Sequence, residues 1–199
     1  RIQPLIASRS VVKLAGELAR AEAADGLLVA GGGASLAVCL HRARAAELGG
    51  LEFACAIPGT VGGGVWMNAG AYGGDIASVL RRALVVDAGG AAWRTPAELG
   101  LRYRSSGLRH GQVVAAAELE LGPRPAAEIK ETVAAMQSQR KAAQPTNKRT
   151  FGSVFKNPEP NRAAAWLIDQ AGLKGERAGG CGVSPKHANF IVNDAKATA

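Results

Sequence analysis

The sequence predicts an α+β fold, because strand-like and helix-like segments follow one another without the regular strand–helix–strand order of a Rossmann domain. Short apolar segments typical of buried strands occur at 27–30, 83–87 and 113–121. Segments with the apolar spacing of amphipathic helices lie at 35–46, 129–136 and 162–171. No internal repeat interrupts this order.

The first elements follow from local pattern. The secondary structure of residues 10–22 is undecided from the pattern. Their leucines suit a helix, whereas their valines and glycine suit two short strands. The strand at 27–30 leads into Gly31-Gly32-Gly33. A helix follows, with Ser35 as its expected N-cap and Gly49-Gly50 as its expected end.

Residues 57–74 form the most unusual segment, with seven glycines in eighteen positions. A glycine inside a helix costs about 0.5–1 kcal/mol relative to alanine, so we predict a shaped loop and no regular helix. The spacing matches neither the dinucleotide-binding nor the P-loop fingerprint. The glycines therefore suit either a structural turn or bare main chain whose N–H groups face a phosphate or a flavin.

The rest of the chain predicts a second domain. A hairpin turns at Ala88-Gly89-Gly90, and the segment Gly122-Pro123-Arg124-Pro125 after the strand at 113–121 is typical of a boundary. Beyond it lie two helices, the second ended by Gly172, and a strand at 189–193. We predict domains at 1–122 and 123–199.

Composition narrows the function classes. Three cysteines without CxxC spacing argue against a disulfide framework or a cysteine zinc site, and we expect no metal. No segment is apolar enough to cross a membrane and no signal peptide is visible, so we expect a cytoplasmic protein. The net charge of +8 favours an anionic partner. The chain has no nucleic-acid-binding motif, so a diphosphate ligand explains this charge better than nucleic acid.

Several motifs occur in one order along the chain. Ile57-Pro58-Gly59-Thr60-Val61-Gly62-Gly63 and Met67-Asn68-Ala69-Gly70-Ala71-Tyr72-Gly73 come first, followed by Tyr103-Arg104-Ser105-Ser106, Gly152-Ser153-Val154-Phe155-Lys156-Asn157-Pro158, and finally residues 166–193. Together they resemble the motifs of the UDP-N-acetylenolpyruvoylglucosamine reductases, over nearly the whole chain. The resemblance favours strands at 10–22.

The resemblance implies a fold and a reaction. The fold is the second subdomain of an FAD-binding domain of the p-cresol methylhydroxylase type, followed by an α+β substrate-binding domain. The cofactors are FAD and NADPH. The reaction reduces UDP-N-acetylglucosamine enolpyruvate to UDP-N-acetylmuramate for peptidoglycan synthesis, so the expected partner is a small UDP-sugar.

The resemblance also implies site residues. Arg104 would stabilise the negative charge that develops beside the substrate carboxylate, and Ser153 would protonate the carbon. The expected substrate contacts are Tyr72, Asn157 and His187. The expected cofactor contacts are Ile57, Pro58, Gly59, Thr60, Gly62, Gly63, Asn68, Gly70 and Arg140. Without the motifs, Arg104 would be interpreted as a surface arginine, Ser153 as a turn serine and Tyr72 as a half-buried aromatic residue. Asn157 would be interpreted as the cap of a turn and Arg140 as part of a solvated helix end.

Both ends of the chain favour a piece of a longer protein, since it starts with Arg1 and stops at Ala199 after a strand-like segment. The resemblance places a first flavin-binding subdomain before residue 1 and a catalytic glutamate after residue 199. We therefore expect the 199-residue chain alone to bind FAD weakly and to be inactive. The alternatives are another FAD oxidoreductase of the same fold, or a basic module that binds nucleic acid.

Overall fold

A computed structural model of the protein describes residues 13–159 and 161–198. The described residues divide into two compact units, one ending at Gln137 and the other beginning at Ser138. This division falls inside a long helix, Ala126–Ala143, and the domain boundary expected between residues 122 and 123 stays a prediction. That helix begins after Pro125 and contains neither glycine nor proline, so no local breaker marks the division near residue 137.

The N-terminal unit is built on antiparallel strands. A five-stranded sheet has the order β1-β2-β8-β6-β7, and β3 pairs with β9 and β4 with β5 in two short ladders. The strands are β1 (Ala21–Ala24), β2 (Leu27–Gly31), β3 (Leu48–Gly49), β4 (Gly70–Ala71), β5 (Gly74–Asp75), β6 (Leu80–Asp87), β7 (Gly90–Arg94), β8 (Val113–Glu120) and β9 (Gly122–Pro123). The predicted strands at 27–30, 83–87 and 113–121 and the hairpin are confirmed.

Helix α1 (Leu36–Ala45) packs into the core of this unit. The Ser35 side chain caps it by accepting a hydrogen bond from Val38 N, as predicted. Leu36, Cys39 and Ala43 are fully buried along one side of the helix. The helix ends at Ala45, and the expected end at Gly49-Gly50 is wrong because Leu48–Gly49 pairs with β9 instead.

Within residues 13–22, the α-helix left open as one alternative is wrong, and the strand alternative is met only from Ala21 onwards. Gly16–Ala19 form one turn of 3₁₀-helix, and β1 begins at Ala21. The predicted features at 10–12 lie outside the described residues.

The glycine-rich segment contains a short helix, α2 (Val61–Trp66), so the prediction of no helix is wrong. Thr60 caps it by accepting from Gly63 N. The cost of helical glycine is offset here by close packing. A Cβ on Gly62 would lie 3.0 Å from Gly32 O, and one on Gly64 would touch Ile76 and Leu36.

The C-terminal unit is smaller. It contains the end of helix α3 (Ala126–Ala143), helix α4 (Ala164–Gln170), and an antiparallel sheet of β10 (Arg177–Ala178), β11 (Cys181–Val183) and β12 (Ile191–Asn193). Gly172 follows α4 with a φ of +71° and ends it as predicted. Ala188, Phe190 and Val192 are buried in this unit. The mixed helix and antiparallel strand content confirms the α+β class.

Candidate active site

The glycine-rich segment lies against the turn after β2. Val61 N donates to Ala34 O at 2.8 Å, Gly62 N donates to Gly32 O at 2.8 Å, and Leu36 N donates to Gly59 O at 3.0 Å. The first N–H groups of α2 are therefore used inside the protein. This corrects the expectation that they face a ligand.

The glycines fall into two groups by what surrounds them. At Gly32 an added Cβ would lie 1.9 Å from Val114 O, and at Gly70 it would lie 2.4 Å from Gly74 O, so these glycines let main chains approach each other. At Gly59 an added Cβ would meet nothing within 4 Å, and at Gly63 only Thr60 Oγ1 at 3.7 Å. Gly59 and Gly63 are exposed, so they present main chain without side chains to the surface.

That open main chain fits a flat or extended ligand such as FAD, because Gly59 and Gly63 place no side chain of their own on this surface. Pro58 and Thr60, on either side of Gly59, are also exposed. Ile57 is half-buried and packs against the core, so it shapes the segment from below. Gly62 is only partly exposed and packs inward. Among the predicted cofactor contacts here, Pro58, Gly59, Thr60 and Gly63 lie at the surface.

Asn68 is a structural residue of this segment. It is only 2% exposed and has a φ of +41°. Its Nδ2 donates to Asp75 Oδ2 at 2.9 Å and to Arg102 O at 3.2 Å, while its Oδ1 accepts from Ala77 N at 2.8 Å. The side chain is therefore used within the loop, and the cofactor contact expected of Asn68 stays a prediction.

Arg104 is brought to the glycine-rich segment. Its guanidinium donates to Asn68 O at 3.4 Å and, more closely, to Gly70 O. The guanidinium carbon also lies 4.9 Å from the centre of the Tyr103 ring, a cation–π distance. Three contacts thus orient a permanently charged, partly buried group beside the loop.

Tyr72 lies in the same segment and is 39% exposed. Its hydroxyl donates to Met136 O at 2.8 Å, which ties the loop to α3. Asn68, Tyr72 and Arg104 all have positive φ, as do only three other non-glycine residues of the described chain. Such backbone strain concentrates at functional sites, so this clustering supports a site at the loop.

In the C-terminal unit, Ser153 lies on an exposed extended segment that forms an isolated bridge to Phe190. Phe151 and Phe155, on either side of it, are 79% and 59% exposed. The Asn189 carboxamide is hydrogen-bonded to both main-chain groups of Phe155. Phe155 N donates to Asn189 Oδ1 at 2.9 Å, and Asn189 Nδ2 donates to Phe155 O at 2.8 Å.

His187 lies near this segment, with its ring 4.6 Å from the Phe190 ring in an edge-on arrangement. Its Nδ1 accepts from Asn189 N at 3.3 Å, which leaves the proton on Nε2. Burial lowers the pKa of His187 below its ordinary value, and the positive charge of Lys174 lowers it further. His187 is therefore a neutral hydrogen-bond donor at neutral pH.

Asn157 and Arg140 have structural roles in this unit. Asn157 Oδ1 accepts from Ala164 N at 3.0 Å and so satisfies the first N–H of α4. Arg140 lies half-buried in the last turn of α3, where its charge favours the helix C-terminus. The contacts expected of both residues with substrate and cofactor remain predictions.

The structure groups the predicted residues by unit. Arg104 and Tyr72 join the glycine-rich segment in the N-terminal unit, and Ser153 joins His187 in the C-terminal unit. Local pattern missed Asn189 and Ser184, which are 4% and 2% exposed. Ser184 Oγ accepts from both Lys186 N and His187 N, a turn that its position before Pro185 would have favoured.

Two further properties bear on the class of site. The described residues contain no group of three or more histidine, cysteine, aspartate or glutamate side chains that could hold a metal ion. Among the same residues, no helix combines the length and apolarity needed to span a bilayer.

Comparison with known proteins gives one consistent family. The model described as "UDP-N-acetylenolpyruvoylglucosamine reductase, C-terminal domain" matches residues 144–199. UDP-N-acetylenolpyruvoylglucosamine reductase 2 of Symbiobacterium thermophilum is 51% identical over 193 residues, which is 95% of this chain and 62% of the relative. The reductase of Methylococcus capsulatus is 47% identical over 165 residues, or 81% and 54% of the two chains.

A solved structure agrees with these relatives. The crystal structure of UDP-N-acetylenolpyruvylglucosamine reductase from Thermus caldophilus is 40% identical, with a TM-score of 0.82 over 93% of this chain and 67% of that one. The chain spans 62% of the length of the Symbiobacterium relative. With this fold and these relatives, the chain belongs to the UDP-N-acetylenolpyruvoylglucosamine reductase family.

Proposed function

We propose that the protein containing this chain reduces the enolpyruvyl double bond of UDP-N-acetylglucosamine enolpyruvate, with FAD as bound cofactor and NADPH as reductant. The product is UDP-N-acetylmuramate, a peptidoglycan precursor. The observation that carries the proposal is the position of Arg104, whose guanidinium is held on the main-chain carbonyls of Asn68 and Gly70 in the glycine-rich segment. The family membership supplies the substrate class.

The open main chain of Gly59 and Gly63 would hold the flavin, and the chemistry that FAD would supply there is hydride donation to the terminal alkene carbon. The adjacent carbon and its carboxylate then gain negative charge. Arg104 stabilises that charge, because its guanidinium stays ionised and its orientation is set before the reaction by the contacts with Asn68, Gly70 and Tyr103. Tyr72 shapes the same surface and contacts the substrate.

Ser153 donates its hydroxyl proton to the adjacent carbon, which completes the addition of hydride and proton across the double bond. A hydroxyl is a weak acid, but an enolic carbanion is a strong base, so a well-placed serine suffices. Its exposure on an extended segment suits this role. His187, a neutral donor through Nε2, contacts a polar group of the same substrate.

A cytoplasmic location agrees with the cysteines. All three lie in the described part of the chain and none forms a disulfide, as expected in a reducing compartment. Cys39 is buried, which raises the pKa of its thiol to about 11 and keeps it unreactive at neutral pH.

Stopped-flow kinetics on the full-length protein test the proposal. Ser153→Ala should leave flavin reduction by NADPH unchanged and slow flavin reoxidation by the enolpyruvyl substrate by roughly 100-fold or more, since positioned acids contribute about 10²–10⁴-fold. Ser138→Ala, an exposed serine within α3, is the matched control and should change neither step. Reoxidation at the normal rate in Ser153→Ala would show that Ser153 is not the proton donor.

A further inference from the structure

The segment that carries Ser153 has little structure of its own. Ser153 forms an isolated bridge with Phe190 and belongs to none of the named strands. Its hydroxyl is on an exposed residue, and the following residues run towards the exposed Phe155. The position of the Ser153 hydroxyl therefore depends on the hydrogen bonds that hold this main chain, because proton transfer needs the donor in a narrow range of positions.

Asn189 provides that support through three hydrogen bonds. Its main-chain carbonyl accepts from Val154 N at 3.0 Å. Its side chain accepts from Phe155 N at 2.9 Å and donates to Phe155 O at 2.8 Å. A carboxamide carries one acceptor and one donor group side by side, so it pairs with both main-chain groups of one residue as a neighbouring strand would.

The environment of Asn189 makes this support rigid. The residue is 4% exposed, and its own N–H donates to His187 Nδ1 at 3.3 Å. A hydrogen bond inside a protein is electrostatically stronger than one exposed to water, and a fully satisfied buried polar network is rigid. The same residue therefore fixes the main chain after Ser153 and the tautomer of His187.

We propose that Asn189 is the positioning residue for the Ser153 proton donor, an inference that rests on the function proposed above. Asn189 touches neither substrate nor cofactor in this role. It holds Val154 and Phe155, and through them sets where the Ser153 hydroxyl lies. The face of the carbon that receives the proton then depends on Asn189.

The chain offers a matched control with the same chemistry. Asn193 Oδ1 accepts from Ala197 N at 2.9 Å, and Asn193 Nδ2 donates to Ala197 O at 2.8 Å. This is also a carboxamide bound to both main-chain groups of one residue, but it holds Ala197 and not the Ser153 segment. Alanine substitution at 189 and at 193 therefore removes the same two hydrogen bonds at two places in one unit.

The experiment compares Asn189→Ala and Asn193→Ala in the full-length, FAD-loaded protein by stopped flow. Asn189→Ala should slow flavin reoxidation by the enolpyruvyl substrate about 10- to 100-fold, with flavin reduction by NADPH and substrate Kd unchanged. Asn193→Ala should leave all three within about twofold of the parent protein, within the usual error of independent sites. Asn189→Asp, which keeps the size and the acceptor but replaces the donor, should also be slow and guards against misfolding of the alanine variant.

Two readouts separate positioning from general loosening. Asn189→Ala should yield a measurable fraction of product with the opposite configuration at the carbon that receives the proton, because water then delivers it from either face. In a Ser153→Ala background, Asn189→Ala should slow reoxidation by no more than about twofold, since the donor it positions is gone.

The outcomes separate the two proposals. A normal reoxidation rate in Asn189→Ala, or equal slowing in Asn189→Ala and Asn193→Ala, overturns the positioning role while a slow Ser153→Ala leaves the proposed function standing. The positioning role is also overturned if Asn189→Ala slows reoxidation by the same factor in the Ser153→Ala background as in the parent protein. A normal rate in Ser153→Ala refutes the proton-donor assignment itself.

Discussion

Gly63→Ala separates ligand binding from folding at the glycine-rich segment. Gly63 lies inside α2, and an added Cβ would stand 3.7 Å from Thr60 Oγ1, which is ordinary van der Waals contact. Alanine is about 0.8–1.0 kcal/mol better than glycine in a helix interior. The substitution should therefore raise the free energy of unfolding of the apo-protein by roughly 0.5–1 kcal/mol.

The same methyl group would occupy the open surface where we place FAD. Forcing one methyl group into a packed contact costs about 1–3 kcal/mol. At that cost the Kd for FAD should rise roughly 5- to 150-fold. A variant that is more stable and binds less tightly has no explanation in misfolding, which makes Gly63 more informative than a destabilising change.

Urea unfolding of the full-length apo-protein and fluorescence titration with FAD measure the two quantities. Gly32→Ala is the packing counterpart, since its Cβ would lie 1.9 Å from Val114 O, and it should lower the free energy of unfolding by about 3 kcal/mol. Gly122→Ala, whose Cβ would meet nothing within 4 Å in β9, should leave FAD affinity unchanged. FAD affinity in Gly63→Ala equal to that of the parent protein would refute a flavin at this surface.

Two further predictions concern stability. Glu52→Ala should lower the free energy of unfolding, measured in urea, by about 3 kcal/mol. The reason is that the Glu52 carboxylate is only 5% exposed and accepts from Arg124 Nη1 at 2.9 Å and from Gly50 N at 2.7 Å. Glu17→Ala, which removes an exposed ion pair with Arg20, is the control and should lower the free energy of unfolding by less than about 1 kcal/mol. Because the pKa of His187 is lowered in the folded state, the unfolded state binds more protons below about pH 6.5, so stability should fall as pH decreases from there to the folded-state pKa. His187→Gln should flatten that decrease in urea titrations between pH 7 and pH 5 (roughly the range in which histidine titrates), and an unchanged slope would contradict the buried neutral histidine.

The sequence was sufficient where the signal is local. Ser35 caps α1, Gly172 ends α4, and Ala88-Gly89 turns the hairpin, because each depends on one residue type at one backbone conformation. Tertiary contacts overrode local propensity at α2. Three glycines there are helical, and at Gly62 the missing side chain lets the helix approach Gly32, whose carbonyl oxygen would lie 3.0 Å from an added Cβ.

The candidate site divides in the same way. The motifs identified the segments, and the ordered match identified the family, but roles within the segments depend on three-dimensional neighbours. The motif marks Asn68 as a cofactor contact, and the structure adds that its amide is hydrogen-bonded to Asp75, Arg102 and Ala77. Asn189 carried no local signal, because its partner Phe155 lies 34 residues away along the chain.

By themselves the residues of this chain determined its α+β class, its main strands and helices, and the order of motifs that marks its family. Those features follow from short-range periodicity, turn chemistry and residue identity. Only the folded structure decided that Arg104 lies on the carbonyls of Asn68 and Gly70, and which glycines pack and which stay open. Contacts between residues far apart in sequence form because burial and hydrogen bonding are satisfied together across the whole core, and no local pattern encodes that balance.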